Sequence, residues 1–403
     1  MSLSRRDLLR VGLGGTAAAT AGQLVGAPEA GAQPQLAAQT VPFYGKHQAG
    51  ITTPPPERLV LAAFDVAAHS AASVRLVLRQ WSIAAERMTR GRPAAPGGGL
   101  AVPPPDSGET VGYGPQHLTV TFGFGPTMFT KLGMERARPQ ALQPLPAMPG
   151  DALDPAYCGG DLVVQACADT EIVALHAVRQ LIRMGAPVLV PRWLQTGYGP
   201  AARPPETRET PRNPLGFKDG TGNPRPGSKA LDDALWIQGR DKPGWAREGT
   251  YLAVRRILIH TAKWDADSLA AQQNSVGREK VSGAPLTGGT EFTPPKFDER
   301  RNGRLVIPAH AHIRVARPQD GELPMLRRGV TFDDGLGGGG HLVTGQLFLA
   351  FVRNLHAQFV PALTRVTEHD RMTERYTTHV GSAVFVVPPG AAKGGYVGET
   401  LFG

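Results

Sequence analysis

The sequence predicts an α+β protein with two similar ferredoxin-like halves, each an antiparallel sheet with peripheral helices. Three observations support this fold class. Strand-like and helix-like segments follow one another in the order β-α-β…α-β, and the second half repeats that order. A stretch rich in proline and arginine, residues 199–214, separates the two series. The chain has 403 residues, which exceeds the ~250 residues that a single hydrophobic core usually spans.

The first half begins with a strand-like run, RLVLAAFDV, at residues 58–66. A helix is predicted over residues 70–88, because apolar residues recur there at helical spacing. These residues are Val74, Val77, Leu78, Trp81, Ala85 and Met88. After a loop rich in glycine and proline, the pattern predicts a strand at 118–125, a helix at 169–185 and a strand at 187–193.

The second half repeats this pattern. Its predicted elements are a strand at 250–262, a helix at 265–277, a long helix at 345–366 and a strand at 382–390. We place the domain boundary within the stretch rich in proline and arginine. This gives an N-terminal ferredoxin-like domain over residues 33–205 and a C-terminal one over residues 206–403.

The N-terminal segment has the features of a twin-arginine export signal. Arg5 and Arg6 precede a mildly apolar stretch, and the small residues Ala30-Gly31-Ala32 offer a cleavage site. We therefore exclude residues 1–32 from the fold and expect the protein in the periplasm or outside the cell. No later run of 18 apolar residues predicts a membrane span.

The basic composition does not indicate a nucleic-acid-binding protein. The formal net charge is +9, but no run of four or more lysines and arginines occurs. Aromatic residues make up only 6% of the chain, so platforms for stacking bases are not evident. We read the charge as that of a basic exported protein that does not bind nucleic acid.

The chain has two cysteines, Cys158 and Cys167. Two cysteines form neither a disulfide scaffold nor a zinc site, which requires four clustered ligands. The two thiols could bridge in an oxidising compartment, but we favour unpaired thiols.

One glycine-rich stretch, GFKDGTGNP at residues 216–224, surrounds a single acid, Asp219. Glycines allow positive φ and close approach of the backbone to a flat ligand. Such a loop could present Asp219 to a planar group. The alternative is an Asx-turn, in which the aspartate bonds the backbone of its own loop.

Two further stretches carry residues suited to chemistry. The segment IPAHAHIRVARP (307–318) contains His310 and His312, and LRRGVTF follows with Arg327 and Arg328. A haem iron requires only one imidazole from the protein, and guanidinium groups bind carboxylates and stabilise anions. A surface or core histidine and a solvated arginine pair are the alternatives for these residues.

Taken together, these motifs resemble the dye-decolorizing peroxidase family, in particular its exported deferrochelatase/peroxidase branch. The stretches that carry the resemblance are PFYGKHQAGI (42–51), LTVTFGFGP (118–126), PGDALDPAYCGGDLVVQACAD (149–169), GFKDGTGNP (216–224), YLAVRRI (251–257), AHIRVARP (311–318), MLRRG (325–329) and GSAVFVVPPG (381–390). They occur in order over residues 41–403.

The resemblance implies a DyP-type peroxidase fold that holds one haem b in its second half. It implies that His312 is the proximal iron ligand, Asp219 the distal acid–base and Arg327 the distal cation. Other residues implied to contact the cofactor are Gly216, Phe217, Lys218, Gly220, Thr221 and Phe348. For Phe348 the alternative is a place in a helix core. His310 has no counterpart in the family signature, and we assign it to the surroundings of the iron ligand or to the surface.

The stretch TERYTTHVGSA departs from the family pattern, since Arg375 stands where relatives often have an acid. The acid that would hold the proximal imidazole is therefore open, with Asp370 and Glu374 as candidates. Bulky donors would not reach a buried haem, so electrons could pass through an aromatic side chain. Candidates are Trp236, Trp245, Trp264 and Tyr376, each with a purely structural role as the alternative.

The favoured function is a haem peroxidase that reduces hydrogen peroxide and oxidises dyes, phenols or similar organic donors. Aspartate titrates near pH ~3.9, which predicts an acidic optimum. The alternatives are release of iron from haem, alongside components of an iron-uptake system, and a carrier of haem without catalysis. We also expect a homo-oligomer, in particular a dimer.

Overall fold

The computed structural model describes residues 39–55, 57–68, 70–199, 210–239, 241 and 243–403. The predicted export signal, residues 1–32, lies outside the described residues. The predicted domain boundary, between residues 205 and 206, also lies outside them and stays a prediction. Within the described residues, no helix is both long and apolar enough to cross a membrane.

The N-terminal half is a four-stranded antiparallel sheet covered on one face by helices. Its strands are β1 (Arg58–Val66), β2 (Thr119–Phe124), β3 (Leu162–Ala168) and β4 (Leu189–Tyr198). Their order in the sheet is β4-β1-β3-β2, which is the ferredoxin-like order. Its helices are α1 (Ala71–Thr89), α2 (Pro126–Lys131) and α3 (Glu171–Gly185). All six residues predicted to form the apolar face of α1 are buried, which confirms its helical period.

The C-terminal half repeats this topology. Its main strands are β5 (Thr250–Ile259), β9 (Val330–Leu336), β10 (Leu342–Val352) and β11 (Thr377–Val387), in the order β11-β5-β10-β9. Shorter strands are β6 (Arg300–Arg301), β7 (Arg304–Leu305) and β8 (Leu326–Arg327), of which β8 pairs with β10. The helices are α4 (Lys229–Leu235), α5 (Thr261–Asp265), α6 (Leu269–Val276), α7 (His312–Val315), α8 (Val360–His369), α9 (Arg371–Tyr376) and α10 (Glu399–Phe402).

The two sheets join along their edges into a closed barrel of eight strands. One bridge pairs Tyr198 with Thr331, and another pairs Val386 with Phe124. Apolar side chains from both sheets fill the space between them, including Leu61, Leu252 and Phe385. The prediction of an α+β fold with duplicated ferredoxin-like halves is thus confirmed.

Alternation along β5 places the functional site outside the barrel. Leu252 and Val254 belong to the core between the sheets. Arg255, Ile257 and Ile259 point to the opposite face, where they line a cavity. Successive side chains of a strand point to opposite faces, so the same strand builds both the core and the site.

The predicted long helix at 345–366 is wrong. Residues up to Val352 form strand β10, which pairs with both β5 and β9. A π-helical turn over Leu355–Phe359 then leads into α8. Asn354 separates the two parts, because its side chain accepts hydrogen bonds from the N–H groups of His356 and Ala357 and so caps the new helix. Phe348 therefore lies on a strand and not in a helix core.

Candidate active site

A cavity of about 370 Å³ lies on the outer face of the C-terminal sheet. Its floor comes from β5, β10 and β11, and its walls come from the glycine-rich loop, α7, α8 and the segment between α7 and β8. The predicted site residues that line it are Phe217, Lys218, Asp219, Gly220, Thr221, His312, Arg327 and Phe348. Gly216 was also predicted to contact a cofactor but does not line the cavity. The sequence motifs, which lie up to about 130 residues apart, thus converge on one space.

Two glycines in the left-handed region and one backbone hydrogen bond fix the position of Asp219 in the glycine-rich loop. Gly216 and Gly220 have φ of +82° and +114°, a conformation that favours glycine. The N–H of Asp219 donates to the carbonyl of Pro211 at 2.7 Å. The carboxylate does not form an Asx-turn, because its Oδ2 accepts from Nε2 of Gln346 at 2.9 Å. Asn213 bonds the loop backbone instead, accepting from the N–H groups of Leu215 and Phe217.

The neighbours of Asp219 in the loop are also fixed. Lys218 forms an ion pair with Glu291 at 2.7 Å, and Thr221 donates to the other Glu291 oxygen at 3.0 Å. Burial opposes the charged form of Glu291, but hydrogen bonds, led by that from Lys218, lower its pKa. Phe217 is buried, and its ring packs edge-on against Trp264. These contacts leave Asp219 as the acidic side chain of the loop that faces the cavity.

Arg327 is tied to the same loop by a reciprocal pair of hydrogen bonds. The side-chain amide of Asn223 donates to the carbonyl of Arg327 at 2.9 Å, and the N–H of Arg327 donates back to Oδ1 of Asn223 at 3.1 Å. Nε of Arg327 is buried and has no hydrogen-bond partner in the described protein. A buried donor without a partner is costly, which is typical of a group that receives a ligand.

His312 begins the short helix α7, and a buried acid holds its ring. Nδ1 of His312 lies 2.6 Å from Oδ2 of Asp370, whose side chain is 0% exposed. Asp370 also caps α9, accepting from the N–H of Met372 and the hydroxyl of Thr373. Burial disfavours the imidazolium, but the Asp370 carboxylate outweighs this and raises the pKa of His312. With Nδ1 donating to Asp370, Nε2 carries the lone pair that can bind a metal.

The other residues near the tyrosine stretch lie apart from this pair. Glu374, the second candidate for the imidazole partner, lines a separate surface cleft together with His310, Lys263, Arg371 and Arg375. His310 therefore belongs to the surface and does not compete with His312 for the cavity. Of the two acids that the sequence left open, the structure brings only Asp370 to the ring.

The donor set fits a metal carried by a macrocycle and does not fit a bare ion. Within the described residues, no group of three or more His, Cys, Asp or Glu side chains could hold a metal ion. His312 presents an imidazole of fixed tautomer to the cavity, whose walls are largely apolar, with Ile257, Val276 and Leu363 among them. Haem iron requires one such ligand, and an apolar pocket suits the porphyrin.

Two cavity residues on the sheet were not found from the sequence. Arg255 is 1% exposed, donates to Nδ1 of His379 at 3.0 Å and pairs with Asp151. Burial, with Arg255 beside it, lowers the pKa of His379 to about 3. His379 is thus a neutral histidine whose tautomer is set by Arg255. Both positions lie in strands rich in apolar residues, and only the correct pairing of those strands reveals that their side chains meet.

The aromatic candidates differ in their relation to the cavity. Trp264 and Tyr376 pack edge-on with ring centroids 4.8 Å apart, and Trp264 contacts Phe217 at 5.8 Å. Trp236 stacks on His47, and Trp245 packs against Phe124 and Phe129 in the core beneath the helices. Only the first pair is therefore linked by ring contacts to a residue that lines the cavity. Both cysteines are free thiols, as favoured.

Two family models together match most of the chain. The model described as Dyp-type peroxidase, N-terminal matches residues 48–199, and the model described as Dyp-type peroxidase, C-terminal matches residues 210–392. Among curated proteins, the deferrochelatase of Escherichia coli (strain K12) is 34% identical over 412 aligned positions. That alignment covers 99% of this chain and 96% of the relative.

Solved structures give the same result. A DyP-type peroxidase from Cellulomonas bogoriensis is 41% identical, with a TM-score of 0.82 over 90% of this chain and 98% of that one. Ferric DtpA from Streptomyces lividans is 38% identical, with a TM-score of 0.85 over 90% of this chain and 97% of that one.

Proposed function

The chain belongs to the Dyp-type peroxidase family and is a haem-dependent enzyme, and on this basis we propose that it is a haem b peroxidase with His312, Asp219 and Arg327 at its centre. Haem b is the usual cofactor of the family, which implies hydrogen peroxide and an electron donor as its substrates. One observation carries the proposal. Asp219 lies in the glycine-rich loop, Arg327 is hydrogen-bonded to it, and both line the same cavity as His312, whose ring is held by Asp370.

His312 and the cavity walls would hold the cofactor. Nδ1 of His312 donates to Asp370, which increases the electron density of the ring and would leave Nε2 to hold the iron. Phe348 and Ile257 line the cavity on its sheet side and would provide apolar contacts to the porphyrin. When bound, haem b supplies the redox-active iron that takes two oxidising equivalents from peroxide and passes them to a donor.

Asp219 would move the proton that peroxide cleavage requires. Its ionised carboxylate takes a proton from one peroxide oxygen and delivers it to the other, which leaves as water. Arg327 faces the same space and stabilises the negative charge that develops as the O–O bond breaks.

Release of iron from haem is the second candidate function. It is supported by the similarity to the deferrochelatase of Escherichia coli, which is 34% identical over nearly the whole chain. A haem carrier without catalysis is less favoured, because a carrier needs no acid and cation tied together beside the cofactor.

One experiment separates these functions. The purified, haem-loaded protein is given hydrogen peroxide with an anthraquinone dye, and in parallel is incubated with excess haem, a reductant and a ferrous-iron chelator. A peroxidase bleaches the dye and yields no metal-free porphyrin. Porphyrin fluorescence with iron release, and no dye turnover, would instead favour the second function. If neither reaction occurs, a haem carrier without catalysis is the remaining function.

Export and assembly complete the proposal. The twin arginines Arg5 and Arg6 support export in the folded state to the periplasm or beyond. Fractionation of cells that produce the wild type and an Arg5→Lys, Arg6→Lys variant tests this, because the variant should stay in the cytoplasm. A homodimer is proposed as well, and light scattering of the purified protein tests it.

A further inference from the structure

Among the described residues, Gln346 forms the only side-chain hydrogen bond to the carboxylate of Asp219. It sits on β10 opposite Ile257 of β5 and Thr331 of β9, and it faces the cavity on the same side of the strand as Phe348. Its Nε2 donates to Oδ2 of Asp219 at 2.9 Å. Oδ1 of Asp219 has no protein partner among the described residues.

A second observation shows that the chain makes room for this amide. Gly329 lies directly after Arg327 and Arg328 and does not have positive φ, so its backbone does not require glycine. A Cβ at Gly329 would lie 2.5 Å from Nε2 and 3.2 Å from Cδ of Gln346. Any larger residue would therefore push the amide away from Asp219. The glycine is explained by the space that Gln346 occupies.

We propose that Gln346 is a positioning residue that occupies Oδ2 of Asp219 with its hydrogen bond and so reserves Oδ1 for the proton of peroxide. The inference rests on the proposed function. An amide nitrogen has hydrogens but no lone pair that can accept, so a proton on Oδ2 would face the N–H of Gln346. The proton must then reside on Oδ1, the oxygen directed away from the amide. A hydrogen bond to the charged form also favours that form over the acid.

Other charged groups also act on the Asp219 carboxylate, and the variants used in the test leave them unchanged. Arg327 reaches the cavity from β8, Arg278 from the turn after α6, and His312 from α7. Lys218 is neutralised by its ion pair with Glu291. None of these groups hydrogen-bonds to Gln346, so a substitution there leaves their mutual contacts in place.

The decisive variant is Gln346→Met, which keeps the length of the side chain and removes the donor. The rate constant for the reaction of the haem-loaded enzyme with hydrogen peroxide is measured from pH 3 to pH 8. In the acid limb of the profile, the rate constant falls as the pH is lowered. We expect the midpoint of this limb to rise by about one pH unit, so that the rate constant at lower pH is about tenfold below that of the wild type. The Soret band and haem content should stay as in the wild type.

Gly329→Ala tests the same contact with Gln346 chemically intact. The added methyl displaces the amide, so the acid limb should move in the same direction. Gln180→Met, which replaces a buried glutamine on α3 in the N-terminal half, is the matched control and should keep the wild-type profile. If Gly329→Ala does not fold, Gln346→Met still decides.

The outcomes distinguish this inference from the proposed function. If Asp219→Asn reacts with peroxide as fast as the wild type at every pH, the role of Asp219 is wrong and the inference falls with it. If Asp219→Asn is slow but Gln346→Met keeps the wild-type acid limb, the inference alone is overturned. An upward shift in Gln346→Met, absent in Gln180→Met, supports it.

Discussion

Replacing Asp370 by asparagine should weaken haem binding without lowering the stability of the fold. Asp370 is fully buried, and its two oxygens accept from His312, Thr373 and the N–H of Met372. Asparagine has one oxygen and one NH₂ group in their place. When the oxygen accepts from the N–H of Met372 and so keeps the helix cap, the NH₂ group faces Nδ1 of His312 and the hydroxyl of Thr373. If the NH₂ group faces Nδ1 of His312, the ring must shift its proton to Nε2, which then cannot bind iron.

The size of the effect follows from the 2.6 Å contact between His312 and Asp370. A hydrogen bond to a charged group contributes about 1.5–3 kcal/mol. Every ~1.4 kcal/mol is tenfold in affinity, so haem affinity should fall roughly 10- to 100-fold. Replacing a residue that hydrogen-bonds to a metal ligand typically lowers metal affinity by the same order, about 10- to 100-fold. The ferric–ferrous potential should rise as well, because the imidazole loses electron density.

The assay is the transfer of haem to excess apomyoglobin, followed in the Soret region. Asparagine caps helices about as well as aspartate, so the haem-free variant should unfold at nearly the wild-type temperature. Glu374→Gln is the matched control, since that acid lies in the surface cleft and should leave haem transfer unchanged. Wild-type haem affinity and potential in Asp370→Asn would refute the reasoning.

Three further predictions concern the cation, the neutral histidine and the aromatic pair. Arg327→Leu should keep the haem spectrum but slow the peroxide reaction about 100-fold, since removing one charge-stabilising donor costs roughly 3 kcal/mol in the transition state; a rate within threefold of wild type in stopped flow would argue against its role. His379 has its pKa lowered from 6.5 to about 3, so the unfolded chain binds the additional proton between these values and stability falls as the pH falls through that window. Between pH 7 and pH 4 the free energy of unfolding of the wild type should therefore drop about 3 kcal/mol more than that of His379→Gln, and equal drops in urea titrations would contradict this. Trp264→Phe and Tyr376→Phe should lower turnover of a bulky dye several-fold while leaving the peroxide reaction unchanged, whereas Trp245→Phe should change neither; equal dye turnover in all three variants would exclude the Trp264–Tyr376 route.

The sequence predicted the architecture because most elements have a clear period. The apolar face of α1 and the alternating runs of β1 and β2 are visible without tertiary contacts. The error at β10 arose because LFLAFV continues into a helical segment with only Arg353 and Asn354 between them. A buried strand that packs on both faces has no clear alternation, so its apolar run looks like a helix.

The same limit explains which site residues were found. Asp219, His312 and Arg327 stand in distinctive local motifs, and the resemblance implied their roles. Asp370 and His312 are 58 residues apart, and only the packing of α8, which ends just before Asp370, against α7 shows that they meet. The contact between Gln346 and Asp219 could not be predicted from the sequence, because it depends on β10 being a strand. Contacts between distant segments depend on tertiary packing, which local patterns do not carry.

The most direct test of the account is the electron density of haem in crystals of the loaded enzyme. Nε2 of His312 should bind the iron on one face of the porphyrin. Asp219 and Arg327 should lie over the other face, with Asp219 still hydrogen-bonded to Gln346. If another side chain binds the iron, or if Asp219 and His312 lie on the same face, the account is contradicted.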